Sequence, residues 1–430
     1  MRHSPIDSSL FIKNRKDFCK RMLPDAVAII NPNDEFPRNG DQDFPFRQNS
    51  DLFYLTGIDQ EKTRLILAPD FPNKKHREIL FILETSKKIE AWEGPKHTRD
   101  EASKLSGIST VLWLDEFEPV LNEIMVYVKH IYLNANENPK YNNQVPYLDL
   151  RFANEIRNKF PNHDYKRAAP ILYSLRMVKK DIEIELIKKA VDITGNAFRK
   201  ILQVTRPGIY EYEIQAELEY EFTRNRAGGN AYRPIIASGE RACVLHYINN
   251  DGECRDGELL LMDFGAEYAN YAADLSRTIP VNGKFTKRQR ECYDAVMSVQ
   301  KKAIKMFTPG NTIDNLNKEV NKLMEKEMIR LGLFTGKDVK NQDPENPMHM
   351  KYYMHGTSHF MGLDVHDVGL KSDVFKPGMV LTCEPGLYIR KEKIGIRIEN
   401  DILVTKNGPV NLMEDIPVDP EEIEHLMNIR

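Results

Sequence analysis

The sequence predicts two domains, an α/β domain followed by an α+β domain, and three observations carry that prediction. Short apolar runs alternate with polar helical stretches in the first half, long helical stripes open at Asp181, and β-like runs recur from Glu258 onward.

In chain order, residues 26–30, 63–68, 79–83 and 131–133 are apolar runs bounded by turn formers and are expected to be strands. Residues 98–105 are expected to form a helix between two of them. Composition changes after residues 166–170, which places a domain boundary there and divides the chain into 1–170 and 171–430. From Asp181, residues Ile187, Ala190, Val191, Thr194, Ala197, Phe198, Ile201 and Leu202 fall on one helical face. Ile214, Leu218 and Phe222 mark a second helix that should stop at Gly228-Gly229. Thr286 and Gln289 form a capping-box pattern opening a third, expected to run to Pro309-Gly310. Residues 258–268, 270–279, 379–389 and 394–404 read as β-like runs, and the polar stretch 337–350, with two prolines, reads as a surface loop.

Composition narrows function before any motif is read. The 430 residues are 41% apolar and 29% charged, with a formal net charge of −3, an ordinary globular balance. Without a basic surplus there is no reason to expect nucleic acid or an anionic membrane surface as a partner. No stretch approaches the roughly 18 apolar residues of a membrane-spanning helix, and the N-terminal MRHSPIDSSLFIKNRKDF lacks the apolar core of a signal peptide. The five cysteines (Cys19, Cys243, Cys254, Cys292, Cys383) are scattered, with no C-x-x-C pair. Neither a disulfide framework nor a thiolate zinc site is expected, and a cytoplasmic setting is.

The residues that carry chemistry gather in the second half. Asp263 ends the apolar run LLLMD, and Asp274 follows in NYAADLSRT after a tight connection expected near Ala269 and Asn270. A hairpin of that length sets two carboxylates on neighbouring strands. HGTSHFMGLDVHDVG holds His355, His359 and His366, three of the chain's eleven histidines, with Asp364 and Asp367. Glu384 precedes Pro-Gly in TCEPGLYI, and Arg397 and Glu399 lie in IGIRIEND. Taken singly, each has a plain reading as a turn cap, a packed histidine or an ion-pair partner. Together, four carboxylates and one imidazole form a hard donor set that suits Mn²⁺, Co²⁺ or Fe²⁺ better than structural zinc. Two divalent cations cancel their charge, and a water shared between cations roughly 3.5–4 Å apart becomes hydroxide near neutral pH. No serine or cysteine nucleophile motif competes.

On these residues the sequence resembles the pita-bread metallopeptidases, and within them the Xaa-Pro aminopeptidase (aminopeptidase P) branch. Asp263, Asp274, His359, Glu384 and Glu399 match that family's five-ligand dinuclear site in type, order and spacing, and HGTSHFMGLDVHDVG and EPGLYI match its motifs. FPFRQNSDLFYLTG (44–57) and the WEG containing Trp92 resemble the branch's N-terminal domain, and LRMVKKDIEIELIKKA (175–190) resembles its entry into the catalytic domain.

The resemblance implies an α/β N-terminal domain over 1–170 and an α+β pita-bread (creatinase/aminopeptidase-like) catalytic domain over 171–430. It implies two divalent ions per subunit, Mn²⁺ foremost, with Co²⁺, Fe²⁺ or Zn²⁺ as alternatives. Asp263 would chelate one ion, Asp274 and Glu399 would bridge both, and His359 with Glu384 would complete the other. Glu384, His246 and His366 are the implied catalytic residues, and His355, Arg397 and Tyr388 the implied substrate contacts, although Arg397 has the alternative role of orienting Glu399. The implied substrates are peptides with proline at position two, cut before the proline. A homodimer or homotetramer is implied, with Trp92 a candidate for reaching a neighbouring subunit's active site. The rivals are a prolidase limited to Xaa-Pro dipeptides and a non-catalytic pita-bread interaction protein, the latter disfavoured by the complete ligand set. A methionine aminopeptidase is disfavoured by the residues preceding the catalytic domain.

Overall fold

The computed structural model of the chain describes residues 3–138 and 144–429, so the ends of the expected domains, residues 1–2 and 430, lie outside it. The chain divides into two compact units, residues 4–176 and residues 177 onward, the latter joined by His3.

The first unit is built on a six-stranded mixed sheet. Its strands lie in the order Thr110–Trp113, Glu78–Ile82, Arg64–Leu67, Ala26–Ile30, His130–Leu133 and Asp164–Arg167. Ala26–Ile30 pairs antiparallel with Arg64–Leu67 (Ile29 opposite Ile66) and parallel with His130–Leu133 (Ala28 opposite Tyr132). All five of its residues are buried, which explains a continuous apolar run rather than an alternating one. Val27, Ile29, Ile66, Ile79 and Phe81 meet Phe117, Leu121 and Ile124 of helix Phe117–Met125 and Phe152 and Ile156 of helix Leu148–Lys159. Each such side chain contributes about 1.5–3 kcal/mol on burial. The unit ends six residues beyond the composition change at 170, because helix Ala169–Arg176 packs on helix Ser9–Cys19 and the buried Arg176 donates to Asp51 (2.7 Å).

In the second unit, helix Asp181–Val204 buries the whole predicted stripe and packs against helix Glu211–Arg224. The second helix stops at Arg224, ahead of the glycine pair, and the third, Lys287–Ile304, carries the capping box at Thr286 but ends before Pro309. The stretch 337–350 is not all loop. Thr335 and Asp338 cap a short helix, Gly336–Lys340, and a 3₁₀ turn, Met348–Lys351, buries His349.

The four β-like runs differ from expectation in a way that builds the site. Each breaks into two strands belonging to different sheets. The first gives Leu259–Phe264 and Ala266–Tyr268, and the second Tyr271–Ala272 and Leu275–Pro280. The third gives Val380–Cys383 and Gly386–Ile389, and the fourth Ile394–Arg397 and Asn400–Thr405. Asp274, Glu384 and Glu399 stand at three of these breaks. The connection expected at Ala269 and Asn270 is present, with φ of 51° and 65°, the pair of positive values a type I′ turn requires.

Candidate metal centre

The breaks turn carboxylates off their sheets toward one point. Carboxylate oxygens of Asp274 and Glu399 and a ring nitrogen of His359 lie within 4.8 Å of one another. His359 Nε2 is 3.3 Å from Asp274 and 3.9 Å from Glu384. Its Nδ1 faces the Phe360 carbonyl at 3.0 Å. A carbonyl only accepts, so Nδ1 carries the proton and Nε2 presents a lone pair to the acids. Asp263 joins through two shared partners. The Tyr232 hydroxyl lies against both Asp263 (2.6 Å) and Asp274, and Arg397 Nη2 donates to Asp263 at 2.6 Å.

The electrostatics are those of carboxylates crowded in a dry place. Burial and the neighbouring Asp263 push Asp274 well above the usual carboxylate range, and burial and Asp274 do the same to Glu399. Burial and Glu399 push Glu384 up to about 8, against the opposing pull of His359 and Arg397. Asp401, which accepts from the Asp274 backbone N–H, is likewise raised, by burial and by Asp274. Acids held in this state are ready to exchange protons for cations.

The implied substrate residues are tied to one another. His355 Nδ1 faces the Gly356 carbonyl (2.8 Å), so Nε2 accepts from the Tyr388 hydroxyl (2.8 Å), which in turn accepts from Arg397 Nη1 (2.9 Å). Burial and Arg397 hold His355 down to about 4, so it is neutral at pH 7. Gly386 makes room for this chain, since a Cβ there would stand 2.6 Å from the Tyr388 hydroxyl. Arg397 is 4% exposed, and its Nε donates to Ser276 (2.9 Å), whose hydroxyl donates to Glu399 (2.7 Å). Its contacts thus reach Glu399 through Ser276 as well as Asp263 directly.

His246 and His366 are exposed, whereas the acids are largely covered. His366 meets the His359 ring edge-on at 4.4 Å, and the charge of His246 contributes to holding His355 down. Asp367 belongs to a buried ion pair with Lys179. Tyr232 and Ser276, which the sequence did not single out, occupy central hydrogen-bonding positions. Neither sits in a pattern of spacing or composition that marks it.

Crowded, largely covered acids around one imidazole define a class, the metal-dependent enzymes. The sequence pattern of metallopeptidase family M24 matches residues 185–406 and that of the aminopeptidase P N-terminal domain matches residues 11–132; the chain belongs to family M24. It is 35% identical to an Xaa-Pro aminopeptidase of Escherichia coli (strain K12), over 99% of this chain and 98% of the relative. A Haemophilus influenzae Xaa-Pro aminopeptidase is 34% identical, over 97% of each. Among solved structures, aminopeptidase P from E. coli in a low-pH form superposes with a TM-score of 0.90 at 34% identity, covering 99% of both chains. A zinc-substituted form of the E. coli protein in complex with product gives 0.88. The pita-bread fold and the aminopeptidase P arrangement that the motifs implied are borne out, and the family implies divalent metal ions. No helix among the described residues is long and apolar enough to cross a membrane.

Proposed function

We infer that this M24 peptidase hydrolyses the bond between an N-terminal residue and a following proline, releasing the first residue. The observation that carries the reading is the convergence of Asp274, His359 and Glu399, with Glu384 and Asp263 at their edge, in a family of Xaa-Pro aminopeptidase relatives. The donor set fits a pair of divalent cations. Asp263 would hold one ion and His359 with Glu384 the other, with Asp274 and Glu399 shared between them, and Mn²⁺ is the metal that the oxygen-rich set would favour. When bound, such a pair polarises the scissile carbonyl and draws a hydrolytic nucleophile from water.

The chain's own residues do the rest. Glu384 takes and relays the water's proton. His366, exposed beside His359, donates to the carbonyl oxygen as charge builds on it. The proline nitrogen has no N–H and must gain a proton as it leaves. His246, near His355 and open to solvent, supplies it. His355 and Tyr388 line the proline side, held by Arg397. Residues 1–170 act as a substrate-limiting and assembly domain and 171–430 as the catalytic domain, in a homodimer or homotetramer. Trp92, 83% exposed on helix Lys87–Glu93, is the candidate for reaching a neighbouring subunit's active site in such an assembly. Five free thiols, four of them buried, fit a reducing, cytoplasmic setting.

The test is hydrolysis of an Xaa-Pro-Yaa tripeptide and an Xaa-Pro dipeptide by metal-stripped protein with Mn²⁺, Co²⁺ or Zn²⁺ restored separately. Metal-dependent release of Xaa from the tripeptide is expected. Cleavage of the dipeptide alone would make the protein a prolidase, and no cleavage with any ion would refute the reading.

A further inference from the structure

Among the five proposed ligands, His359 is the one without a strand beside it in sequence. From Tyr352 to Met379 the chain forms no helix or strand, apart from a single bridge between Phe360 and Leu381. An imidazole on such a segment keeps its aim only through tertiary ties. The outgoing half of the loop is tied to the strand that leads to Glu384. The His359 N–H donates to Thr382 Oγ1 (3.2 Å), the Thr382 N–H to the His359 carbonyl (3.0 Å), and the Met361 N–H to the Val380 carbonyl (3.1 Å).

The returning half is held by charge. Lys179 Nζ lies 3.0 Å from Asp367 Oδ2, and both side chains are 1% exposed. Lys179 stands just before helix Asp181–Val204, and its own N–H donates to the Gly378 carbonyl at the far end of the loop (2.8 Å). The Asp367 N–H donates to the Phe360 carbonyl (2.9 Å), the same oxygen that receives the His359 Nδ1 proton. Gly362 closes over the pair. A Cβ there would stand 2.3 Å from Asp367 Oδ2 and 2.7 Å from Lys179 Cε. The Gly362 carbonyl accepts from the Ala272 N–H (2.8 Å), two residues from Asp274. One buried pair therefore pins the loop to the helix start and steadies the carbonyl that orients the imidazole.

We propose that Lys179 and Asp367 are positioning residues of the metal centre, fixing the tautomer and aim of His359 through the Phe360 carbonyl. The proposal rests on the two-cation reading above. Removing one partner of a buried ion pair strands a charge, so the informative change replaces both with near-isosteric neutral groups.

The experiment titrates metal-free wild type and the Lys179→Met/Asp367→Asn double variant with Mn²⁺ by calorimetry, alongside apo thermal unfolding and kinetics on an Xaa-Pro-Yaa tripeptide. The expected result is about tenfold or greater weakening of one of the two Mn²⁺ affinities. kcat should fall with KM changed much less, and the double variant should remain folded. Asp367→Asn alone, whose amide oxygen still accepts from Lys179, should show a smaller loss of the same kind and serves where the double variant does not fold. Wild-type affinity for both ions in a folded variant, whatever its unfolding temperature, would overturn the proposal and make the pair purely structural. Wild-type protein that binds no Mn²⁺ would instead overturn the metal reading on which it rests.

Discussion

Adding Mn²⁺ to the metal-free protein should expel protons, and the structure bounds how many. Burial and the adjacent Glu399 hold the Glu384 carboxyl up to about 8, and Asp274 and Glu399 are raised well above the carboxylate range by burial and by neighbouring acids. A carboxyl with a pKa near 8 is roughly 90% protonated at pH 7. Ligation requires the carboxylate, so Glu384 alone should release nearly one proton, and the three acids together up to about three. Apparent affinity should then climb about tenfold per pH unit for each proton released, with the Glu384 share vanishing above about pH 8. Calorimetric titration in two buffers of equal pH and unlike ionisation enthalpy counts those protons directly. Zero protons released near pH 6.5 would refute the reasoning, because the acids would then already be ionised before the cation arrives. The raised values also bear on folding. A carboxyl whose folded pKa exceeds its unfolded one stabilises the fold fully below the ordinary carboxylate range, and that stability is lost as pH rises through about 8. Metal-free protein should therefore melt at lower temperature at alkaline pH, an effect bound metal removes.

Three further substitutions probe the surroundings. Tyr232→Phe removes the hydroxyl shared by Asp263 and Asp274; a bond to a charged group is worth about 1.5–3 kcal/mol, so titration should show cation affinity roughly 10–100-fold weaker. Arg397→Met breaks a buried pair with Asp263 and frees Tyr388 and Ser276; breaking such a pair costs about 3–5 kcal/mol, so metal content or kcat/KM should fall about 100-fold or more, and unchanged values would exclude a role in orienting the ligands. Asp149, in the first unit, is raised to about 7 by burial and by Asp51 and Asp34, against the Asn31 hydrogen bond. Its stabilising contribution is complete below about pH 4 and lost by about pH 7, so Asp149→Asn should be increasingly more stable than wild type between those values, by at most about 4 kcal/mol in unfolding free energy; a difference independent of pH would show that the acid is not held neutral.

Strand Ala26–Ile30 was legible because burial on both faces leaves an unbroken apolar run. The five proposed ligands were legible because each sits in a long local motif. The breaks at Asp274, Glu384 and Glu399 were not, since a strand that changes sheets keeps the same apolar composition on either side of the change. Tyr232 and Lys179 escaped for a different reason. Each acts through contacts made only on tertiary closure, with Asp263 and Asp274 for one and Asp367 for the other. No periodicity or spacing encodes a partner 31 or 188 residues away.

The most direct test is a crystal of the protein equilibrated with Mn²⁺ and measured for anomalous scattering. The account predicts two peaks roughly 3.5–4 Å apart, enclosed by Asp263, Asp274, His359, Glu384 and Glu399. No peak there, or strong density only elsewhere on the chain, would contradict it.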